Sequence, residues 1–268
     1  VEMPGMNGLA FLEKIKELRP MPVVMVSTLT AAGTEVTLKA LEIGAIDALA
    51  KPAGKDAVQV FSAALRHKVR SASQAKVRQR HQNATPQAAM AAPAPVADKA
   101  GTGRTRLIAI GSSTGGGAAL TELLQGIPAG APPIVVTQHM PAEFTGRFAN
   151  RLNSQLPHDV QEGRAGENLR RGMIRSAPGS AHMVVQKRGG DLITALDDSG
   201  PISGHRPSVD VLFNTVATSV GRATIAAILT GMGRDGAAGL RTLRQTGAYC
   251  LGQSEKTCVV YGMPKAAK

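Results

Sequence analysis

The stretch Arg106–Leu120, RLIAIGSSTGGGAAL, constrains this chain more than any other. Leu107, Ile108, Ala109 and Ile110 form an apolar, β-branched run that reads as a buried strand, and Gly111-Ser112-Ser113-Thr114-Gly115 breaks it before a helical pattern begins at Ala118. Gly-x-Ser-x-Gly between a strand and a helix is the signature of a nucleophile elbow. Small residues on either side of Ser113 permit a tight turn, so the hydroxyl projects from the sheet edge beside backbone N–H groups. The same residues suit a plain Gly/Ser-rich turn or a phosphate cradle, and the choice falls to the rest of the chain.

With 43% hydrophobic residues but only 3% aromatics and no Trp, the cores must be built from Ala, Val, Leu, Ile and Met. That is the composition of α/β folds whose parallel strands are buried on both faces. A length of 268 residues allows two domains. The net charge of +12 points to an acidic partner, nucleic acid or a membrane surface without choosing among them. No apolar run approaches the roughly 20 residues of a membrane helix and no signal-peptide pattern opens the chain, so a cytoplasmic protein without membrane insertion is expected. Cys250 and Cys258 have neither disulfide-framework nor metal-ligand spacing and read as reduced thiols.

The first unit alternates helix and strand. An amphipathic helix carries Leu9, Phe11, Leu12, Ile15 and Leu18. A strand over Pro22–Ser27, a helix from Thr34 to Glu42, a strand over Ala45–Ala50 ending in Lys51-Pro52, and a helix from about Asp56 to Arg70 follow. From Ser71 to Arg104 the Ala-, Pro- and Gln-rich sequence offers no sustained apolar face and reads as a solvated tether. Its basic cluster, Lys76, Arg78, Arg80 and His81, has no interleaved aromatics, so no nucleic-acid partner is expected.

In the second unit a Val/Ile-rich strand over Pro133–Thr137 leads directly into Gln138-His139-Met140-Pro141. His139 therefore stands where open α/β sheets place their sites, beyond a strand's C-terminal end. His182, after a Pro-Gly turn, is the second choice for a base, and His158 and His205 are further alternatives. Shorter strands are expected at Met173–Ala177, Met183–Gln186 and Leu192–Ala195, and a helix over Ser208–Val220 with Ser208 as its N-cap. A strand over Ala223–Leu229 ends in Thr230-Gly231-Met232-Gly233-Arg234-Asp235-Gly236. There the carboxylate of Asp235 either orients an imidazole or caps the helix starting near Gly236. Ser, His and Asp in that order depart from the α/β-hydrolase order, but a triad is defined by geometry.

Together GSSTGG, TQHMP and GMGRDGAAGL, with APGSAHM, HRPSVDVLF and CVVYGMP, closely resemble the catalytic domain of the chemotaxis protein-glutamate methylesterase (CheB) family. MPGMNG, PVVMVS and Lys51-Pro52 resemble the C-terminal part of a response-regulator receiver domain. The resemblance implies a partial flavodoxin-like receiver remnant over residues 1–70, a linker over 71–104, and a doubly wound, mostly parallel α/β catalytic domain over 105–268. It implies Ser113 as nucleophile, His139 as base, Asp235 as its orienter, the Met232 N–H as oxyanion donor and Thr114 lining the site. It also implies Ser27 and Lys51 as contacts of a phosphoryl group.

The implied reaction is hydrolysis of glutamate γ-methyl esters on methyl-accepting chemotaxis receptors, with deamidation of receptor glutamines as a second activity. No cofactor is implied for catalysis. Mg²⁺ is expected only for phosphorylation of an intact receiver by a chemotaxis histidine kinase, because the phosphorylatable Asp would stand just before Val1 and the metal-holding acidic pair is also missing from this sequence. A final helix beyond Met263-Pro264 is likewise expected to be missing, and a weakened receiver block is expected to follow from the truncation. Arg206 and Arg234 are expected to steer an acidic receptor helix. The competing readings are a nucleotide-binding module, which lacks the G-x-G-x-x-G and P-loop patterns, and a signalling adaptor, which would dispense with the hydroxyl or the imidazole.

Overall fold

An apolar run such as Leu107–Ile110 needs cover on both faces, and the computed structural model, which describes residues 7–28, 30–52, 54, 57–77 and 105–268, supplies it from two helical layers. The first unit comprises α1 (Gly8–Leu18), β1 (Val24–Ser27), α2 (Ala31–Ile43), β2 (Asp47–Ala50) and α3 (Ala57–Ser73). Its strands pair in parallel, Ser27 opposite Ala50. Asn7 caps α1 by accepting from the Ala10 N–H, and Thr30 caps α2 by accepting from the Gly33 N–H. The helix expected to end near Arg70 continues to Ser73, and Lys76 donates its N–H to the Val259 carbonyl. The tether thus begins packed, while its remainder from Arg78, including Arg80 and His81, lies outside the described residues. In α1 the helical spacing is as expected, yet Phe11 and Leu18 are 50% and 77% exposed, because only the Leu12 side of the helix faces α2.

The second unit runs β3 (Leu107–Ser112), α4 (Gly116–Gln125), β4 (Ile134–Gln138), α5 (Ala142–Gln155), β5 (Asp159–Glu162), β6 (Met173–Ser176), β7 (His182–Arg188), β8 (Asp191–Asp197), α6 (Val209–Ser219), β9 (Thr224–Ile228), α7 (Ala237–Gln245), β10 (Tyr249–Gly252) and α8 (Met263–Ala267). Six strands form one sheet in the order β10-β9-β3-β4-β6-β5, every pairing parallel. β7 and β8 form a separate antiparallel ribbon. The order reverses at β3, whose neighbours β4 and β9 are reached in opposite directions. Such a switch point opens a crevice beyond the carboxyl ends of the strands.

The side-chain alternation of β3 decides what packs where. Leu107 and Ala109 face a core shared with Leu212, Phe213 and Val216 of α6 and Leu240 and Leu243 of α7. Ile110 faces the opposite core, with Leu120 and Leu124 of α4 and Phe148 and Leu152 of α5. Leu38 of the first unit belongs to that second core, so the two units share apolar packing. The edge strands β5 and β10 were not foreseen. DVQE carries one apolar residue, Val160, and YCLG is largely exposed, so neither shows the buried run by which a strand is read.

Phe213 is fully buried at the centre of the α6 layer. Phe213→Ala is expected to destabilise the second unit by about 3–5 kcal/mol, read as a lower urea midpoint at unchanged m-value.

Candidate active site

Three loops leave the carboxyl ends of adjacent strands and meet. Beyond β3, Ser113 donates its N–H to the Thr230 carbonyl, 3.0 Å away in the loop after β9, and accepts from the Gly116 N–H at 2.7 Å. Gly115 turns the chain into α4 with φ 77°, in the left-handed region where a side chain is strained. Gly231 allows the β9 loop to approach: a Cβ there would lie 2.8 Å from that of Ser113 and 2.2 Å from the Met263 Sδ. Gln138, which the sequence reading passed over, stitches the loops together. Its amide donates to the carbonyls of Ser113 at 2.9 Å and His139 at 3.1 Å, and its Oε1 accepts from the Ser112 hydroxyl at 2.7 Å. It follows directly from the TQHMP motif, and its buried amide next to a candidate base was the available signal.

The imidazole of His139 lies 2.7 Å, through Nε2, from Oδ2 of Asp235. That carboxylate does not cap α7, where Gly236 is the N-cap. It sits instead on the N-terminus of α6, accepting from the Ser208 hydroxyl at 2.7 Å, the Val209 N–H at 2.7 Å and the Asp210 N–H at 3.1 Å. Ser208 also caps α6 as expected, through a 3.4 Å bond from the Val211 N–H. Burial pushes the Asp235 carboxyl up, but the hydrogen bond and charge of His139 and the donors of Val209 and Ser208 outweigh it and hold the group at about 2. An ionised carboxylate only accepts, so Nε2 of His139 carries the proton it donates. Nδ1 is then the basic nitrogen, buried and without a hydrogen-bond partner.

Ser113 and His139 line one cleft with Gly115, Gln138 and Met140. The Ser113 hydroxyl is not hydrogen-bonded to the imidazole, and in sites of this kind that bond often tightens only with substrate bound. Among the described residues the N–H groups of Thr114 and Met232 donate to no protein acceptor. His158 and His182 are tied down elsewhere, the first to the Pro128 carbonyl and the second between the Ser208 N–H and the Gly200 carbonyl. Arg206 and Arg234 are exposed. Cys258 is buried and pushed up to about 11 by burial and by Glu255.

The first unit closes this cleft. Its Ile46 carbonyl accepts from the Gly115 N–H at 3.2 Å, and Leu41, Ile46, Asp47 and Ala48 form one wall. The Thr114 hydroxyl donates to Asp47 at 3.3 Å and accepts from Ser71 at 2.9 Å, while Lys68 pairs with Asp47 at 2.6 Å. Arg151 of α5 pairs with Glu42 and, at 3.6 Å, with Glu35 of α2. What remains of the cleft measures about 20 Å³, room for about one water molecule. Ser27 and Lys51 lie at the adjacent ends of β1 and β2, joined by a 2.8 Å bond from the Lys51 N–H to the Ser27 carbonyl, and the buried Ser27 hydroxyl donates to the Gly33 carbonyl at 3.0 Å.

Comparison with known proteins agrees along the whole chain. Residues 108–268 match the family model described as CheB methylesterase, and residues 1–61 match the response regulator receiver domain. The protein-glutamate methylesterase/protein-glutamine glutaminase 1 of Caulobacter vibrioides is 51% identical over all of this chain and 76% of its own length. The corresponding protein 2 of Pseudomonas aeruginosa is 45% identical over all of this chain and 75% of its length. The crystal structure of the Thermotoga maritima CheB methylesterase catalytic domain superposes with a TM-score of 0.59 at 39% identity, covering 60% of this chain and 86% of that one.

The depressed Asp235 carboxyl makes a stability prediction with a definite sign. Its folded value of about 2 lies below the unfolded value of about 3.9. Its contribution is therefore present above pH ~4 and lost as the pH falls through ~2. Asp235→Asn should flatten the acid side of the stability–pH curve in that window, measured by urea unfolding at successive pH values.

Proposed function

Because this chain belongs to the CheB methylesterase family, with a receiver domain ahead of the catalytic unit, we propose that it hydrolyses glutamate γ-methyl esters on chemotaxis receptors and deamidates receptor glutamines. The observation that carries this reading is the proton arrangement at His139: Nε2–H is committed to Asp235, Nδ1 is left without a partner, and the residue lines the cleft that Ser113 shares. Nδ1 takes the hydroxyl proton as Ser113 Oγ attacks the ester carbonyl. The Met232 N–H, with that of Thr114, stabilises the developing oxyanion. His139 returns the proton to the departing methoxide, and methanol leaves. Water then attacks the acyl-enzyme, again deprotonated by Nδ1, to release the glutamate and free the serine. With a glutamine side chain the first leaving group is ammonia. Asp235 remains ionised throughout, holding the tautomer and balancing the imidazolium. These steps use groups of the protein alone.

In the first unit, Ser27 and Lys51 are the proposed contacts of a phosphoryl group delivered by a chemotaxis histidine kinase. The phosphate would draw the Ser27 hydroxyl from Gly33 and meet the fixed cation of Lys51. The described side chains at these strand ends are hydroxyls and an ammonium, which do not fit Mg²⁺, a cation that takes oxygen ligands centred on carboxylates. The exposed Arg206 and Arg234 fit electrostatic steering of an acidic receptor helix. Among the described residues no helix is long and apolar enough to cross a membrane.

Two outcomes are expected. Ser113→Ala abolishes methanol release from a peptide bearing a γ-glutamyl methyl ester, and Asp235→Asn lowers turnover by about 10⁴; retained hydrolysis by Ser113→Ala would overturn the assignment. Glu42→Arg sets like charges against Arg151 and should raise the basal rate about five- to tenfold by loosening the docked unit, measured by the same assay on the unphosphorylated chain.

A further inference from the structure

Beside the proposed base lies a second imidazole that the mechanism leaves unused. The ring of His205 stacks on that of His139, with centroids 3.8 Å apart and planes inclined by 11°. Its own segment holds it rigidly. Ile202 and His205 exchange both backbone hydrogen bonds at 3.0 Å around a two-residue turn in which Ser203 (φ 53°) and Gly204 (φ 80°) are both left-handed. That is the geometry of a tight hairpin turn. On the following side, Arg206 donates to the carbonyls of Asp198 and Ser199. His67 of α3 lies beside His205, with ring centroids 6.0 Å apart and planes inclined by 70°. The charged and titratable groups around the ring are His139, Asp235, His67 and Lys68. Burial and the neighbouring His139 push His205 down to about 4, so it is neutral wherever esterase activity would be assayed.

His139 has one hydrogen bond through its ring, the Nε2 contact with Asp235. A single bond of that kind lets the ring swing about it, and each swing redirects Nδ1. We propose that His205 is a positioning residue for the esterase reaction, its stacked ring fixing the plane of His139 and with it the direction of Nδ1. This rests on the reading of His139 as the base. A misplacement of about 1 Å at a reacting centre costs on the order of a hundredfold in rate, which sets the scale of the effect. The neutral face also suits the imidazolium that forms when Nδ1 takes its proton.

The test uses the full chain with His205→Ala and His205→Phe, assayed on the γ-glutamyl methyl ester peptide, with nitrogen-15 NMR of the His139 ring as a readout independent of turnover. His205→Ala is expected to lower kcat about ten- to hundredfold with KM nearly unchanged, while His205→Phe, which keeps a flat ring, recovers most of the loss. In the NMR spectrum the Ala variant should lose the single Nε2–H pattern to exchange averaging, and the Phe variant should keep it. If the Ala variant does not fold, His205→Leu, without a flat ring, replaces it with the same expectation. Unchanged kcat or an unchanged His139 spectrum in the ring-less variant overturns the proposal. So does a Phe variant as impaired as the Ala one, since a ring nitrogen would then be what matters. Retained hydrolysis by Ser113→Ala would instead remove the base assignment, and the NMR comparison would still report whether the stack orders the ring.

Discussion

The carboxylate of Asp235 seated on the first turn of α6 is the interaction from which the rest of the site is built. A buried anion is costly unless donors surround it, and here Ser208, Val209 and Asp210 supply donors before His139 adds its own. The helix terminus gives the charge a favourable field as well as hydrogen bonds. The imidazole consequently meets an acceptor already fixed in position and ionisation. Its tautomer is settled by that acceptor, and the basic nitrogen by elimination. His182, accepting from the Ser208 N–H while its other nitrogen reaches the Gly200 carbonyl, holds the same helix end from behind. A substitution at His182 would therefore reach His139 through two intermediates, Ser208 and Asp235.

The sheet order makes this geometry possible. Because β3 lies between β4 and β9, the three loops that follow them are nearest neighbours, although the residues they carry are far apart in sequence. Hydrogen bonds to main-chain carbonyls then close the remaining distance: Ser113 N–H to Thr230, His139 N–H to Ser112, and the Gln138 side-chain amide to both Ser113 and His139. The Thr230 hydroxyl joins Thr114 and Val260. Few of these bonds involve the reacting side chains, yet together they fix the frame within which such groups must be held to a fraction of an ångström.

How far the sequence could be read follows from the kind of constraint each feature carries. The strand–turn–helix around Ser113 and the strand-terminal position of His139 were legible because buried parallel strands are continuous apolar runs and their turns need small residues. Asp235 was legible as a carboxylate in a glycine-rich loop. Which helix it would serve was not, because α6 reaches it from 25 or more residues away by packing of Val209 against the glycines at 111 and 236. β5 and β10, at the sheet edges, need little apolar surface and left little pattern. His205 looked like one histidine among several, since a ring stack across separate loops has no periodicity and no spacing.

The contact between the two units is of a different kind again, and its composition bears on what it can do. One of its bonds is made by a main-chain carbonyl, Ile46, to the N–H of Gly115, so no side-chain motif announces it. Around it stand Asp47 with Lys68 and Thr114, and farther out Glu42 with Arg151, partly exposed pairs of modest individual worth. Leu38 adds apolar packing against the core of α4 and α5. An interface of this composition leaves only about 20 Å³ of the cleft open, and its bonds are of a kind water can replace when the units separate. The Ser27 hydroxyl bonds to the first turn of α2, and the later turns of the same helix carry Leu38 and Glu42. One helix thus joins the proposed phosphoryl-sensing end to residues that contact the catalytic unit.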